Sequence, residues 1–331
     1  MDHFTRQKRV ILERLLVCPS CVCPLELEAD RYRCLACTRV YPVKFGIPRF
    51  INSLSNDEAQ VKRSFHLEHT RHLDSQHLHF TPKLVDQWLQ DVQLPAEYFK
   101  GKLILDAGCG SGRWTYALAS LGATVVAVDL TDAGAEVTHT ATAEMPNVAV
   151  LQASVFNLPF RPESFDFVVS WGVLHHTPNT KAAFDRIVPF VKRGGTLYVM
   201  VYERHNPWKF IWTDLIRRVL RWFPEEQRYR LCRLFIIRSR VLFWLLRHRI
   251  ICMPCPKGAS PLDISTMQLG LYDAYAPVFN HLHSRREVES WFRAHRFEQI
   301  CLTRPVRFTS RKDIRLQGEC GGSINMRGVR A

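Results

Sequence analysis

Between residues 101 and 202 the apolar positions gather in short runs: 102–106, 124–129, 148–152, 165–170 and 196–201. Segments of helical length separate most of them. Strand and helix in alternation predict a parallel sheet with both faces covered. Before this block, Leu84, Val85, Trp88, Leu89 and Val92 fall on one face of a helix within 81–99. Residues 15–51 follow a different pattern, dense in Cys and Pro with alternations such as Leu25-Glu26-Leu27-Glu28. They predict small β-hairpins pinned by something other than a core. After the sheet block, Ile211, Trp212, Leu215, Ile216, Val219, Leu220 and Phe223 recur at helical spacing within 208–223. Asp214, Arg217, Arg218 and Arg221 fall largely elsewhere on that wheel. A second helical stretch, 226–249, mixes leucines with seven arginines.

These patterns divide the chain into 1–52, 53–100, 101–202, 203–260 and 261–331. A length of 331 residues fits two or three units better than one. With 47% apolar and 23% charged residues the chain can bury a large core, which excludes global disorder. The net charge of +14 bears on partners: RNA, an anionic lipid surface or an acidic substrate. Residues 204–250 concentrate it, with twelve Lys or Arg against three Asp or Glu. No secretory signal is read, because Glu13 and Arg14 interrupt the run from Val10 to Val17. No apolar stretch reaches the ~18 residues of a spanning helix. The expectation is a cytoplasmic protein, peripheral at a membrane if 208–249 meets lipid. Eleven cysteines in that setting read as thiols or metal ligands.

Cys18, Cys21, Cys34 and Cys37 form C-x2-C-x12-C-x2-C. Two CxxC turns can aim four thiolates at one point, which suits a structural Zn²⁺. A segment of ~35 residues cannot close a core alone, so metal would supply folding free energy. The competing readings are two buried thiol pairs or a redox site. Cys23 reads as a bystander, and Cys252-Met-Pro-Cys255 as a turn with two thiols. The stretch from Cys18 to the closing Tyr41-Pro42…Gly46-Ile47-Pro48-Arg49-Phe50-Ile51 resembles the zinc-ribbon activators that partner tRNA and release-factor methyltransferases. It also resembles ribbons fused in front of some bacterial methyltransferases.

The most informative run is Asp106-Ala107-Gly108-Cys109-Gly110-Ser111-Gly112-Arg113, directly after an apolar strand. Alternating glycines let the backbone turn and approach a ligand. A dinucleotide fingerprint needs glycine where Arg113 stands, which disfavours NAD. Asp129 ends the next strand, 23 positions after Asp106, and can accept ribose hydroxyls; helix capping is the plainer role.

This region resembles the class I S-adenosylmethionine (SAM)-dependent methyltransferases, in particular the quinone-biosynthesis branch. The resemblance continues through Leu158-Pro159-Phe160, Ser164-Phe165-Asp166-Phe167-Val168-Val169-Ser170, Gly172-Val173-Leu174-His175-His176 and Lys192-Arg193-Gly194-Gly195. It implies an α/β, Rossmann-like doubly wound methyltransferase sheet, here with an N-terminal zinc ribbon and a helical insertion. It implies a SAM site at Asp106, Gly108, Cys109, Gly110 and Gly112, with Asp129 on the ribose. Leu130, Ser154, Val155 and Ser170 complete that site. One departure stands out: the family usually carries Gln-x-Asp at the third strand to receive the adenine amino group, and here the run is Gln152-Ala153-Ser154.

Methyl transfer from a sulfonium needs alignment, and a base when the acceptor must lose a proton. His175 and His176 follow the fourth strand and are the candidates. Packing and loop hydrogen bonding are their bland alternatives. Phe65-His66-Leu67-Glu68-His69 looks like a lid that excludes water. His66, His69, His72, His77 and His79 follow no metal-ligand spacing and read as a solvated helix face. Asp273 and Tyr275 lie in an Asp-x-aromatic-x-Pro run resembling ribbon-fused methyltransferases, and are candidates to face the acceptor. Ser284 reads as a helix cap.

The basic helices have three readings: a cap on the substrate pocket, a face on anionic lipid, or a phosphate-binding face for RNA. The resulting expectation is a SAM-dependent methyltransferase acting on a small-molecule or lipid-linked acceptor. Its rivals are an RNA methyltransferase and a non-catalytic binding or regulatory protein.

Overall fold

A computed structural model describes residues 3–51, 53–76, 80, 82–204, 207–303 and 322–331. The N-terminal part comprises α1 (His3–Glu13), β1 (Leu25–Glu28), β2 (Arg31–Cys34), β3 (Val40–Lys44) and β4 (Ile47–Pro48). Then come α2 (Asn56–Gln76) and α3 (Pro82–Val92). The alternating block is β5 (Leu103–Ala107), α4 (Arg113–Ser120), β6 (Thr124–Asp129), α5 (Asp132–Ala141), β7 (Val148–Gln152), β8 (Phe165–Trp171), α6 (Thr180–Ile187) and β9 (Val191–Tyr202). After it run α7 (Pro207–Leu220), α8 (Glu225–Cys232), β10 (Ile236–Ile237), α9 (Arg240–Leu246), β11 (Met253–Pro254), α10 (Pro261–Tyr275), α11 (Arg285–Ala294), β12 (Phe297–Thr303) and β13 (Ser323–Arg330).

Seven strands form one sheet in the order β12-β13-β9-β8-β5-β6-β7. Strands β5 to β9 are parallel, and β13 runs antiparallel between β9 and β12. The winding reverses between β5 and β8. That reversal opens a crevice at the C-terminal ends of these strands, where open α/β sheets take ligands. Alternate residues feed two apolar layers. Leu105, Val126, Leu151, Val168 and Leu197 meet Phe184 and Phe292 on one face. Ile104, Val125, Val150, Phe167 and Tyr198 meet Trp88, Phe99 and Trp114 on the other.

The N-terminal hairpins dock on the β7 edge. Phe50 N–H donates to the Gln152 carbonyl at 2.7 Å, and Val17 N–H to Pro159 at 2.9 Å. Tyr32, Tyr41 and Phe50 share the apolar layer of Leu151 and Phe160. Arg49 is buried there and pairs with Glu136 of α5 at 2.7 Å. The hairpins thus cover what would be an open sheet edge.

Three expectations change. The stretch 226–249 is not one helical run: α8 stops at Cys232, and Ile236–Ile237 pairs in parallel with Met253–Pro254 before α9 begins behind its cap, Ser239. Paired β-branched residues favour a strand there. The two thiols of Cys252 and Cys255 therefore flank a short strand, not a turn. Strand β9 is also longer than its apolar run. It starts at Val191 and passes through Gly194 and Gly195, with a register shift against β8.

Candidate active site

A cavity of about 740 Å³ opens at the sheet reversal, between the strand ends, α2 and α10. Its floor is the β5–α4 turn. Gly108 and Gly110 adopt φ of 92° and 53°, the left-handed region that glycine tolerates. A Cβ on Gly108 would lie 2.3 Å from Val173 Cγ2 in the loop after β8, so only glycine lets the turn pack this closely against that loop. Asp106 is buried at the end of β5 and accepts from Thr115 Oγ1 at 2.6 Å. Burial pushes its carboxyl up to about 7, against the pull of the Thr115 hydroxyl.

Asp129 is held from two sides. One carboxylate oxygen accepts from Gly110 N–H at 2.9 Å; the other accepts from Thr131 N–H and Oγ1 at 2.8 and 2.7 Å. The cap of α5 is Thr131, which accepts from Gly134 N–H, so the plainer role considered for Asp129 belongs to its neighbour. A carboxylate offers about four acceptor sites. Three are in use, so gripping two hydroxyls of one sugar requires Gly110 or Thr131 to give one up.

The α2 lid contributes more than its sequence suggested. Ser154, standing where an acid was expected, donates its hydroxyl to Glu58 Oε1. The same glutamate caps α2: Ser55 N–H and Oγ reach Glu58 Oε2 at 3.2 and 3.0 Å. Both Glu58 and Ser154 line the cavity, so the carboxylate absent from the β7 end arrives from α2. Lys62 ties α2 to Asp132 of α5 at 2.6 Å. His69 is buried over Gly110 with Nδ1 3.0 Å from Thr131 Oγ1. That corrects the reading of a solvated face: one turn further along α2 the ring meets the β6–α5 turn. Burial lowers its pKa, with Asp129 opposing. His66 is exposed. The side chains of His72, His77 and His79 lie outside the described residues.

At the other end of the cavity His176 Nδ1 donates to the Phe279 carbonyl at 3.0 Å. That bond leaves Nε2 as the lone-pair nitrogen, 3.6 Å from Asp273 Oδ1. Tyr202 donates to Asp273 Oδ2 at 2.6 Å. Burial lowers the His176 pKa, with Asp273 and the Phe279 carbonyl pulling the other way, so the ring is held neutral. Glu68 also faces this space, its carboxyl pushed well up by burial and then by Asp273 and Asp129. The pair His176–Asp273 can take a proton at Nε2 and balance the charge that forms. Arg217 of α7 sets this geometry from behind, donating to the carbonyls of Ala274 and Pro277 at the C-terminal end of α10.

Of the residues singled out in the sequence, Asp106, Gly108, Cys109, Gly110, Asp129, Leu130, Ser154, Val155, His176 and Asp273 line the cavity. Four do not. Gly112 caps α4, and Ser170 ties β8 to the Ala107 carbonyl at 2.9 Å. His175 is fully buried with its ring 4.0 Å from that of Tyr202. The Tyr275 hydroxyl donates to Ile251, and its ring stacks on Phe235. His175 and Tyr275 pack; neither reaches the space an acceptor would fill. Glu58 and Tyr202 went unread. The Ser55-x-x-Glu58 capping pattern was visible, but nothing in it pointed to Ser154.

The four ribbon thiols converge. Sγ of Cys18, Cys21, Cys34 and Cys37 all lie within 4.8 Å of one another, with Cys18–Cys37 at 3.6 Å and Cys21–Cys34 at 3.4 Å. Zn–S bonds of ~2.3 Å imply edges of about 3.8 Å, so the cluster fits one tetrahedral metal. Cys23 turns away, toward the Cys21 carbonyl. No other such cluster occurs among the described residues.

Residues 105–199 match a family described as a methyltransferase domain. The match takes in 95 of the 331 residues. Over 123 residues the chain is 33% identical to a demethylmenaquinone methyltransferase of Staphylococcus aureus (strain MRSA252), covering 36% of this chain and 50% of that protein. The chain thus spans about half the length of the curated relatives it matches. Among solved structures, magnesium protoporphyrin IX methyltransferase from Synechocystis PCC 6803 with bound SAM aligns at 13% identity and a TM-score of 0.46. That alignment covers 85% of this chain and 100% of that one. A complex between the Haloferax volcanii methyltransferase activator and a methyltransferase aligns at 16% identity and a TM-score of 0.46, covering 82% and 97%. The matched residues supply the glycine turn, Asp129 and His176; α2 and α10, outside the match, close the cavity around them.

Proposed function

We propose that this chain is a SAM-dependent methyltransferase for a small-molecule or lipid-linked acceptor with an aromatic head. One observation carries the reading: a glycine-floored crevice and a histidine–carboxylate pair share one cavity. Its walls suit the cofactor: Glu58, Asp129 and Asp273 line it against one arginine, Arg113, beside Glu68 and Asp106, whose neutral forms burial favours. That is an environment for a cation. Phe65, Trp114, Trp171 and Tyr202 supply flat apolar walls for an aromatic acceptor. The relative named for demethylmenaquinone supports an acceptor of that class.

When bound, the cofactor supplies an electrophilic methyl on a sulfonium. The chain's own part is to orient and to move a proton. The glycine turn and Asp129 hold the donor end. His176 Nε2 accepts the proton that the acceptor loses, and Asp273, kept in place by Tyr202, stabilises the imidazolium. The α2 lid excludes water while this happens. The glutamate behind Ser154 supports a competent site over a silent one. We also assign a structural Zn²⁺ to the four cysteines, whose closed sulfur set leaves no open position for chemistry.

Calorimetry with SAM tests the reading first. The protein should bind it, and Asp129→Ala should weaken binding by about 1–3 kcal/mol, the cost of a lost charged hydrogen-bond partner. Absence of binding would return the chain to the class of silent folds. Mass spectrometry of cell extract incubated with the protein and isotopically labelled SAM then identifies the acceptor.

A further inference from the structure

Helix α7 is inside out. It buries Thr213, Arg217 and Leu220, while Ile211 (55% exposed), Trp212, Leu215 (50%) and Val219 share an outward arc. Trp222, in the turn beyond, is 85% exposed. A helix on a water-facing surface has the opposite arrangement. Helix α9 repeats the feature, with Val241, Leu242, Trp244 and Leu245 all exposed. Of seventeen exposed large apolar side chains among the described residues, twelve lie between Phe210 and Leu245. Two helices that leave this much apolar side chain uncovered point to docking.

The surrounding charge identifies what docks. Arg221, Arg233, Arg238, Arg240 and Arg249 are exposed and form no ion pair with an acid among the described residues. The exposed Trp and Phe rings offer stacking faces, but seven of the twelve side chains are aliphatic and give RNA nothing to stack on. A protein interface also favours Trp and Arg, so a second copy of this chain is one of the outcomes the test separates. Trp and Leu flanked by unpaired Arg fit the headgroup layer of an anionic bilayer, where the rings enter the acyl boundary and the guanidinium groups meet phosphate. At 14 and 7 residues, α7 and α9 are too short to cross. Among the described residues no helix is long and apolar enough to do so.

We propose that α7 and α9 seat this protein on an anionic lipid surface. The inward side of α7 then gains a purpose. Arg217 holds the end of α10 that carries Asp273, so the lipid-facing helix abuts the acceptor end of the cavity. This last link rests on the proposed methyltransferase reading; the docking itself does not.

The test uses the full chain and flotation with vesicles. Phosphatidylcholine vesicles containing about one third phosphatidylglycerol should carry the protein up, pure phosphatidylcholine should not, and salt should weaken the effect. Replacing Trp212, Leu215 and Trp222 together by Ser should lower the bound fraction at least about tenfold. Circular dichroism melting should show that variant still folded. Arg238→Gln with Arg240→Gln should cost about fivefold per arginine, the equivalent of ~1 kcal/mol. No flotation at low salt overturns the proposal, as does a folded serine variant that floats like the parent. So does a concentration-dependent dimer that the serine variant dissolves, or salt-sensitive RNA binding in a protein that ignores vesicles. SAM calorimetry on the same samples separates failure of the docking from failure of the enzyme reading.

Discussion

His176 shows how two adjacent, chemically identical residues part ways. Its neighbour His175 is enclosed against Tyr202, and burial drives its pKa well below the ordinary 6.5. His176 spends one nitrogen on a backbone carbonyl and turns the other toward Asp273. Sequence reading named the pair but could not choose between them, because only the route of the 174–176 turn decides which ring reaches the cavity. His176→Asn should therefore lower kcat by about 10²–10⁴ with SAM affinity unchanged. Its pH dependence has a definite sign. The base works unprotonated, and its pKa is lowered, so the acid limb of kcat should fall below pH 6.5 and vanish in the variant. A profile that keeps this limb in His176→Asn removes the residue from the mechanism.

The element of most consequence is α2. Glu58 serves two ends, capping the helix through one oxygen and holding Ser154 of the cofactor crevice through the other. The lid and the β7 end are thereby one unit. Glu58→Gln keeps shape and loses charge. A glutamine still closes the capping box, so helix stability should fall only by about 0.3–1 kcal/mol for the charge lost at the helix N-terminus, while SAM binding should weaken. Ser154→Ala should weaken SAM less in the Glu58→Gln background than alone, because each removes the same contact. Additive losses in calorimetry would show that the two act separately. The five parallel strands, by contrast, were readable to within a residue or so, apart from the start of β9; β12 and β13 were not picked out. Period and β-branched runs suffice where both faces are buried. The α8–α9 region was not readable, because leucines and arginines at helical spacing carry no mark of the break that Ile236–Ile237 makes by pairing with Met253–Pro254.

At the scale of the molecule, the ribbon is part of the core and not an appendage. Tyr32, Tyr41 and Phe50 pack with Leu151 and Phe160, and Arg49 reaches Glu136 across the junction. Losing the proposed zinc should therefore unsettle the seven-stranded sheet domain too. Cys34→Ser should release zinc by metal analysis and lower the main thermal transition in calorimetry, along with any small one. A main transition left in place would show the ribbon to be an independent module. Full zinc occupancy in the variant would refute the ligand set.

Some of this was determined by the sequence alone. The parallel sheet, the glycine turn, Asp129 at its strand end and the four-cysteine spacing are local patterns; backbone geometry translates each without reference to distant residues. Tertiary structure decided the rest, since each remaining feature joins groups far apart in the chain. Glu58 meets Ser154, His176 meets Asp273, and Arg217 meets the end of α10 only because the sheet reverses and the helices fold back over it. The outward face of α7 belongs here too. Periodicity shows that a helix has an apolar side, but only packing shows that this side was left uncovered.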